Sequence, residues 1–167
     1  PLLKAKKLLK VNYEPDGVVE SSTDHDRLFT ELMAKGKAEV KRKDGDVASA
    51  FKSAAKIVTA EYQCPFLAHS PMEPENFFAH VQGDKVELVG PTQTPDRARQ
   101  ETAALLGIPP ENVSVAITRL GGGFGRRLWS DFIPDAVEIS KKIKKPVKLL
   151  WTREDDMKHD FYRPASL

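Results

Sequence analysis

The chain has 167 residues, 40% of them hydrophobic and 30% charged, and carries a net charge of +2. That composition is globular and the length is enough to bury a core, while the small net charge gives no argument for nucleic acid. No apolar stretch approaches the roughly 18 residues of a membrane-crossing helix, and the single cysteine, Cys64, excludes an intrachain disulfide or a Cys-based zinc or iron–sulfur site within this chain.

In chain order, residues 1–9 read as the last turns of a lysine-rich helix with no N-cap in view. Pro1 stands where an initiator methionine would be, and residues 161–167 lack a tail-like composition. The chain is therefore expected to be a piece of a longer polypeptide. Residues 8–13 alternate as a strand, and Glu14-Pro15-Asp16-Gly17 has turn chemistry. Leu28, Phe29, Leu32 and Met33 stand at helical spacing ahead of the stop Gly36. Residues 37–43 are expected as a strand. Asp46 caps a helix over 47–55, and residues 57–62 are rich in β-formers.

From Cys64 to Asn76 regularity breaks down around Pro65, Pro71 and Pro74, as in an ordered irregular segment. Residues 77–81 and 85–89 then form a hairpin across Gln82-Gly83-Asp84. Thr94 caps a helix opened by Pro95 and stopped at Gly107. Residues 113–120 are a strand. Asp131 and Pro134 open a helix with Ile133, Ala136, Val137, Ser140 and Ile143 on one face, and Pro146 ends it. Residues 147–152 form the last strand, with Val147, Leu149 and Trp151 facing one way.

This order gives an α+β fold: a two-layer α/β sandwich with a mixed sheet and a ββαβαβ core from about residue 77 to 152. Two regions are expected, a partial α/β segment over 1–62 and an α/β domain over 63–167 that is the first part of something larger.

The most informative run is Leu120-Gly121-Gly122-Gly123-Phe124-Gly125-Arg126-Arg127. Glycines let the backbone turn tightly and press its amides on a ligand. Successive N–H groups beside arginines suit an anion such as a phosphate or a metal-bound oxyanion. The dinucleotide pattern G-x-G-x-x-G fails here, because Arg126 stands where its last glycine belongs. The P-loop and the G-x-S-x-G elbow are absent as well. Phe124 is a large aromatic in a glycine turn, so it is expected to pack or to line a cavity. A plain structural turn remains the competing reading.

Other polar clusters read as structure. Lys141, Lys142, Lys144 and Lys145 suit a solvated helix end. His69 and Glu73 are four apart, but Pro71 between them prevents the helix that would align them as metal ligands; a structural role shaping the approach to a ligand is expected. Glu154, Asp155, Asp156, His159 and Asp160 read as a solvated polar loop. Cys64 precedes Pro65 with no basic neighbour to activate it.

The loop Gly121-Gly122-Gly123-Phe124-Gly125 resembles the molybdopterin-binding loop of the xanthine dehydrogenase/aldehyde oxidase family. Gly90-Pro91-Thr92-Gln93-Thr94 is similar to that family's Thr-Gln segment, and Gln93 stands 31 residues before Phe124, as in the family. The double arginine, Ala68-His69-Ser70-Pro71-Met72-Glu73-Pro74, and Trp151-Thr152-Arg153-Glu154-Asp155-Asp156-Met157 resemble the isoquinoline 1-oxidoreductase-type large subunits. The resemblance runs from about Leu8 to Pro164.

It implies a molybdenum hydroxylase that oxidises an aldehyde or N-heteroaromatic C–H with water-derived oxygen. The cofactor implied is molybdopterin with molybdenum, as the cytosine dinucleotide in bacteria. The partners implied are a small [2Fe-2S] iron–sulfur subunit and a small-molecule aldehyde or N-heterocycle, with no nucleic acid. Gln93, Gly122, Gly123, Phe124, Gly125 and Arg126 would bind the cofactor, with Gln93 and Phe124 second neighbours of the molybdenum. The resemblance favours a periplasmic or membrane-associated setting and leaves the cytoplasm open. Xanthine-oxidising members continue the loop with Gly, Lys and a substrate-contacting Glu; Arg126, Arg127 and Leu128 stand here instead, which implies a less polar substrate. The family's catalytic glutamate lies far toward the C-terminus of the full subunit, so no catalytic residue is expected in this stretch and it would be inactive alone. The alternative is a non-catalytic α/β binding or scaffold module that has lost its cofactor.

Overall fold

The computed structural model describes residues 2–14, 16–17, 19–37, 39–163 and 165–166. The expected roles of Pro1, Pro15 and Pro164 and of Ala38 within strand 37–43 lie outside the described residues. The chain divides into one unit of Pro1–Tyr62 with Ser166–Leu167, and a second of Gln63–Ala165.

The first unit holds α1 (Leu2–Leu8), α2 (Ser22–Lys35) and α3 (Val47–Ser53). Ser21 Oγ accepts from the Asp24 amide at 3.2 Å while the Asp24 carboxylate accepts from the Ser21 amide at 3.0 Å. This capping box starts α2 six residues before the apolar spacing does. Asp46 caps α3 by accepting from Ser49 N–H at 3.1 Å. The strands expected over 8–13, 37–43 and 57–62 do not form among the described residues of 2–62. A strand persists only when neighbours take its backbone groups and one face is covered. Here Val11, Tyr13, Val40, Ile57 and Val58 all stay exposed.

The second unit carries a four-stranded mixed sheet. Two-residue strands β1 (Gln63–Cys64) and β6 (Ala165–Ser166) flank β2 (Asn76–Gln82), β3 (Lys85–Gly90), β4 (Val113–Ile117) and β5 (Val147–Leu150) in the chain. The sheet order is β4-β3-β2-β5. β2 and β3 form the antiparallel hairpin, with Ala79 opposite Leu88. β5 runs antiparallel to β2, with Leu149 opposite Phe77. β4 runs parallel to β3, with Ala116 opposite Val89, because α4 (Pro95–Leu106) carries the chain back across the sheet.

Alternation places Phe77, Ala79, Val86 and Leu88 on the covered face, against Ala98 and Ala103 of α4 and Ile133, Ala136 and Val137 of α5 (Ile133–Ile143). The Phe77 and Phe132 rings meet edge-on at 5.9 Å. At the end of β2, the Ser140 hydroxyl of α5 accepts from Val81 N–H at 3.0 Å and donates to Lys145 O at 2.7 Å.

Three boundaries differ from expectation. β4 ends at Ile117 because β3 ends at Gly90, and Thr118 N–H donates the last bond of this ladder, to Gly90 O at 3.2 Å. The Thr94 side chain does not cap α4; its hydroxyl donates to Leu128 O at 3.0 Å. The expected polar loop after Trp151 is α6 (Arg153–Lys158), capped by Thr152, which accepts from Asp155 N–H at 3.2 Å. Asp156 of that helix is buried, since Arg153 Nη1 donates to it at 2.6 Å. A carboxylate is tolerated inside only when so paired.

Candidate functional site

The glycine loop leaves β4 and turns back on itself. At its entrance, Glu73 N–H donates to Gly121 O at 3.1 Å and Gly121 N–H donates to the Glu73 carboxylate at 2.8 Å. Positive φ angles follow at Gly122 (105°), Phe124 (54°) and Gly125 (97°). An aromatic in the left-handed region costs on the order of 1 kcal/mol, which the surrounding contacts must hold in place. The Phe124 ring is 71% exposed and lies over Gly122. Among the described residues, no hydrogen bond engages the N–H groups of Gly122, Gly123 and Phe124.

Gln93, on the connection between β3 and α4, meets this loop. Its Oε1 accepts from Gly125 N–H at 3.3 Å, and its own N–H donates to Arg127 O at 3.0 Å. A Cβ on Gly123 would stand 2.7 Å from Gln93 Oε1, so the absent side chain is what admits the carboxamide. The two motifs, 31 residues apart in sequence, therefore share one surface. It presents the Gln93 carboxamide, three unengaged amides and one aromatic ring.

The two arginines do not stand on that surface. Arg126 is fully buried, gripping both Asp131 oxygens at 2.7 and 2.8 Å with Asp160 3.2 Å from its Nε. The rings of Phe132, Trp151 and Phe161 lie 5.8, 5.8 and 5.1 Å from its guanidinium carbon. The structure thus places its guanidinium on the protein's own carboxylates and aromatic faces, away from the surface that Gln93 and the loop amides share.

His69 and Glu73 do not pair with each other. His69 Nδ1 lies 2.9 Å from Asp160, whose other oxygen takes the His69 amide. His69 Nε2 sits near Gly125, 3.7 Å from where a Cβ would stand. Burial opposes the charge of Glu73, but hydrogen bonds from Asn76 and Gly121 and the Arg127 guanidinium hold its carboxyl below the usual range. Glu75 behaves oppositely: burial pushes it up to about 7 against the pull of Arg127 and Arg126. Among the described residues, no group of three or more His, Cys, Asp or Glu is arranged to hold a metal ion.

Sequence reasoning missed Asp160, Asp156, Glu75 and Arg127 as structural parts of the site. The only local signal was the T-x-x-D cap at Thr152. A cavity of about 530 Å³ is lined by Asp131, the carboxylate that Arg126 grips, with Asp135, Trp151, Asp155, His159 and Phe161.

The donor set fits a large anionic organic group: consecutive free amides in a left-handed turn beside a side-chain amide. Residues 29–166 match the family model described as the molybdopterin cofactor-binding domain. The chain belongs to that family. Within it, the domain is 38% identical over 112 residues to the isoquinoline 1-oxidoreductase subunit beta of Brevundimonas diminuta, covering 66% of this chain and 14% of that protein. It is 36% identical over 125 residues to the aldehyde oxidoreductase molybdenum-binding subunit PaoC of Escherichia coli (strain K12), covering 74% of this chain and 17% of that protein. Its fold matches quinoline 2-oxidoreductase from Pseudomonas putida 86 with a TM-score of 0.64 at 23% identity, over 92% of this chain and 20% of that one. The chain thus spans between 14% and 20% of the length of these relatives.

Proposed function

We propose that this domain forms one wall of the cofactor site in a molybdenum hydroxylase acting on an aldehyde or an N-heteroaromatic C–H. In that reading the cofactor is molybdopterin, as its cytosine dinucleotide, and electrons leave through a separate small [2Fe-2S] subunit. When bound, the group supplies the oxidising centre, and water supplies the oxygen. Gly122, Gly123 and Phe124 would hold the cofactor's anionic groups through their backbone N–H groups. Gln93, its Oε1 engaged by Gly125, keeps its NH₂ as a donor that would serve the cofactor. Phe124 shields the site from water, and Gly125 holds the turn that aims the amides. Arg126 acts from beneath, bracing the loop through Asp131 and Asp160 without touching the cofactor.

One observation carries this reading: Gln93 Oε1 rests on Gly125 N–H in the space that Gly123 leaves open. Two motifs that serve only as turns have no reason to meet in that way. The relatives' names, with molybdenum binding in one of them, support it. The test uses the full-length polypeptide expressed with ample molybdenum. Near-stoichiometric molybdenum and pterin are expected, and Gln93→Ala lowers turnover by about 10² or more while the protein stays folded. A folded protein without molybdenum would instead establish a scaffold module that has lost its cofactor.

A further inference from the structure

Arg127 is fully buried, and its guanidinium serves the segments that build the cradle. Nε–H donates to Gly122 O at 2.8 Å, and Nη2 to Glu73 O at 2.6 Å. Nη1 donates to the Glu75 carboxylate at 2.9 Å and to Pro91 O at 3.4 Å. The Arg127 carbonyl in turn accepts the Gln93 amide at 3.0 Å and the Thr92 hydroxyl at 3.4 Å. One residue thus touches the glycine loop, the connection that carries Gln93, and the irregular segment around Glu73.

We propose that Arg127 is the positioning residue that sets the Gln93 carboxamide against the amides of Gly122 to Gly125. This rests on the reading of the surface as a cofactor site. Arg127 touches neither cofactor nor substrate; it acts through Gln93 and Gly122. Its partners are three carbonyls and two carboxylates, and the apolar cluster of Phe77, Leu88, Ile133 and Val137 lies on other elements. Losing it therefore shifts the cradle and leaves the sheet in place. A planar fork with five donors meets these acceptors at fixed angles, whereas a lysine ammonium offers one point.

The test compares Arg127→Lys, Gln93→Ala and the double variant in the full-length protein. Arg127→Lys is expected to lower kcat by about tenfold to a hundredfold, the scale of a misplaced catalytic group. In the Gln93→Ala background the same change should cost less than about twofold, because the group it positions is gone. Equal losses in the two backgrounds overturn the proposal. Hydrogen exchange supplies a readout independent of the cofactor: amides of residues 119–128 and of Gln93 should exchange about tenfold faster in Arg127→Lys, with residues 76–90 unchanged. Unchanged exchange in the loop, or equal loosening of the sheet, also overturns it. If Arg127→Lys does not fold, Glu75→Gln measured at pH 8 replaces the charged acceptor by a neutral one. Loop exchange should then rise about threefold, and no rise counts against the proposal. A protein that lacks molybdenum would defeat the functional reading alone, since the exchange arm still tests the role of Arg127 in holding the loop.

Discussion

Gly123 shows how a single missing side chain decides the chemistry of the surface. Its Cβ would lie 2.7 Å from Gln93 Oε1 and 2.8 Å from Gln93 Cδ. Those atoms are the far end of a flexible side chain, so Gly123→Ala is relieved by swinging Gln93 away. The cost falls on position and spares stability. Thermal unfolding of Gly123→Ala should stay within about 2 °C of wild type, the scale of a surface change of about 0.5 kcal/mol. Turnover of the full-length enzyme should nevertheless fall toward that of Gln93→Ala. A Tm loss of many degrees with normal turnover would place Gly123 in the scaffold.

At the scale of elements, the hairpin, α4 and α5 follow from local chemistry: alternation around Gly83, Pro95 opening and Gly107 closing a helix, and an apolar stripe ended before Pro146. α5 also carries a polar residue on its buried stripe, and its use is visible only in the fold. Ser140 joins Val81 N–H to Lys145 O, completing β2 where its pairing with β5 has stopped at Ala79. Ser140→Ala leaves that amide and that carbonyl unpaired, at a cost of about 1–3 kcal/mol. Chemical denaturation should show this as a lower midpoint with an unchanged slope. The strands expected over 8–13, 37–43 and 57–62 failed because alternation states only a preference. Without a partner ladder, no term opposes the exposed, irregular backbone.

Across the second unit, charge is organised behind the cradle. Arg126 with Asp131 and Asp160, Arg127 with Glu75 and Glu73, and Arg153 with Asp156 form a chain of ion pairs from the loop to α6. Such pairs contribute more to position than to stability, because desolvation offsets most of their attraction. Glu75 makes this measurable. Burial raises its carboxyl from 4.5 to about 7, so the folded state holds a proton there that the unfolded chain has released. Its favourable contribution is therefore complete below about pH 4.5 and lost as pH rises through 7. Wild type should lose on the order of 1–3 kcal/mol relative to Glu75→Gln between pH 5 and pH 8. Parallel pH profiles of unfolding free energy for the two proteins would contradict this. Glu75→Gln gains in global stability at high pH while its loop loosens, because the ionised pair trades stability for a fixed guanidinium.

What the sequence by itself determined is what neighbours in the chain decide: the starts and stops of α4 and α5, the hairpin, the α+β order, and a glycine turn whose resemblance to a family paired it with Gln93. The burial of Arg126 and Arg127 was decided only in three dimensions. The Arg127–Glu75 pair spans 52 residues and the His69–Asp160 pair 91. Local composition shows cations beside a loop and acids in a polar stretch; whether they face water or one another depends on long-range packing that excludes solvent. Two arginines that read as a surface for anions are, once folded, the internal frame that holds the amides in place.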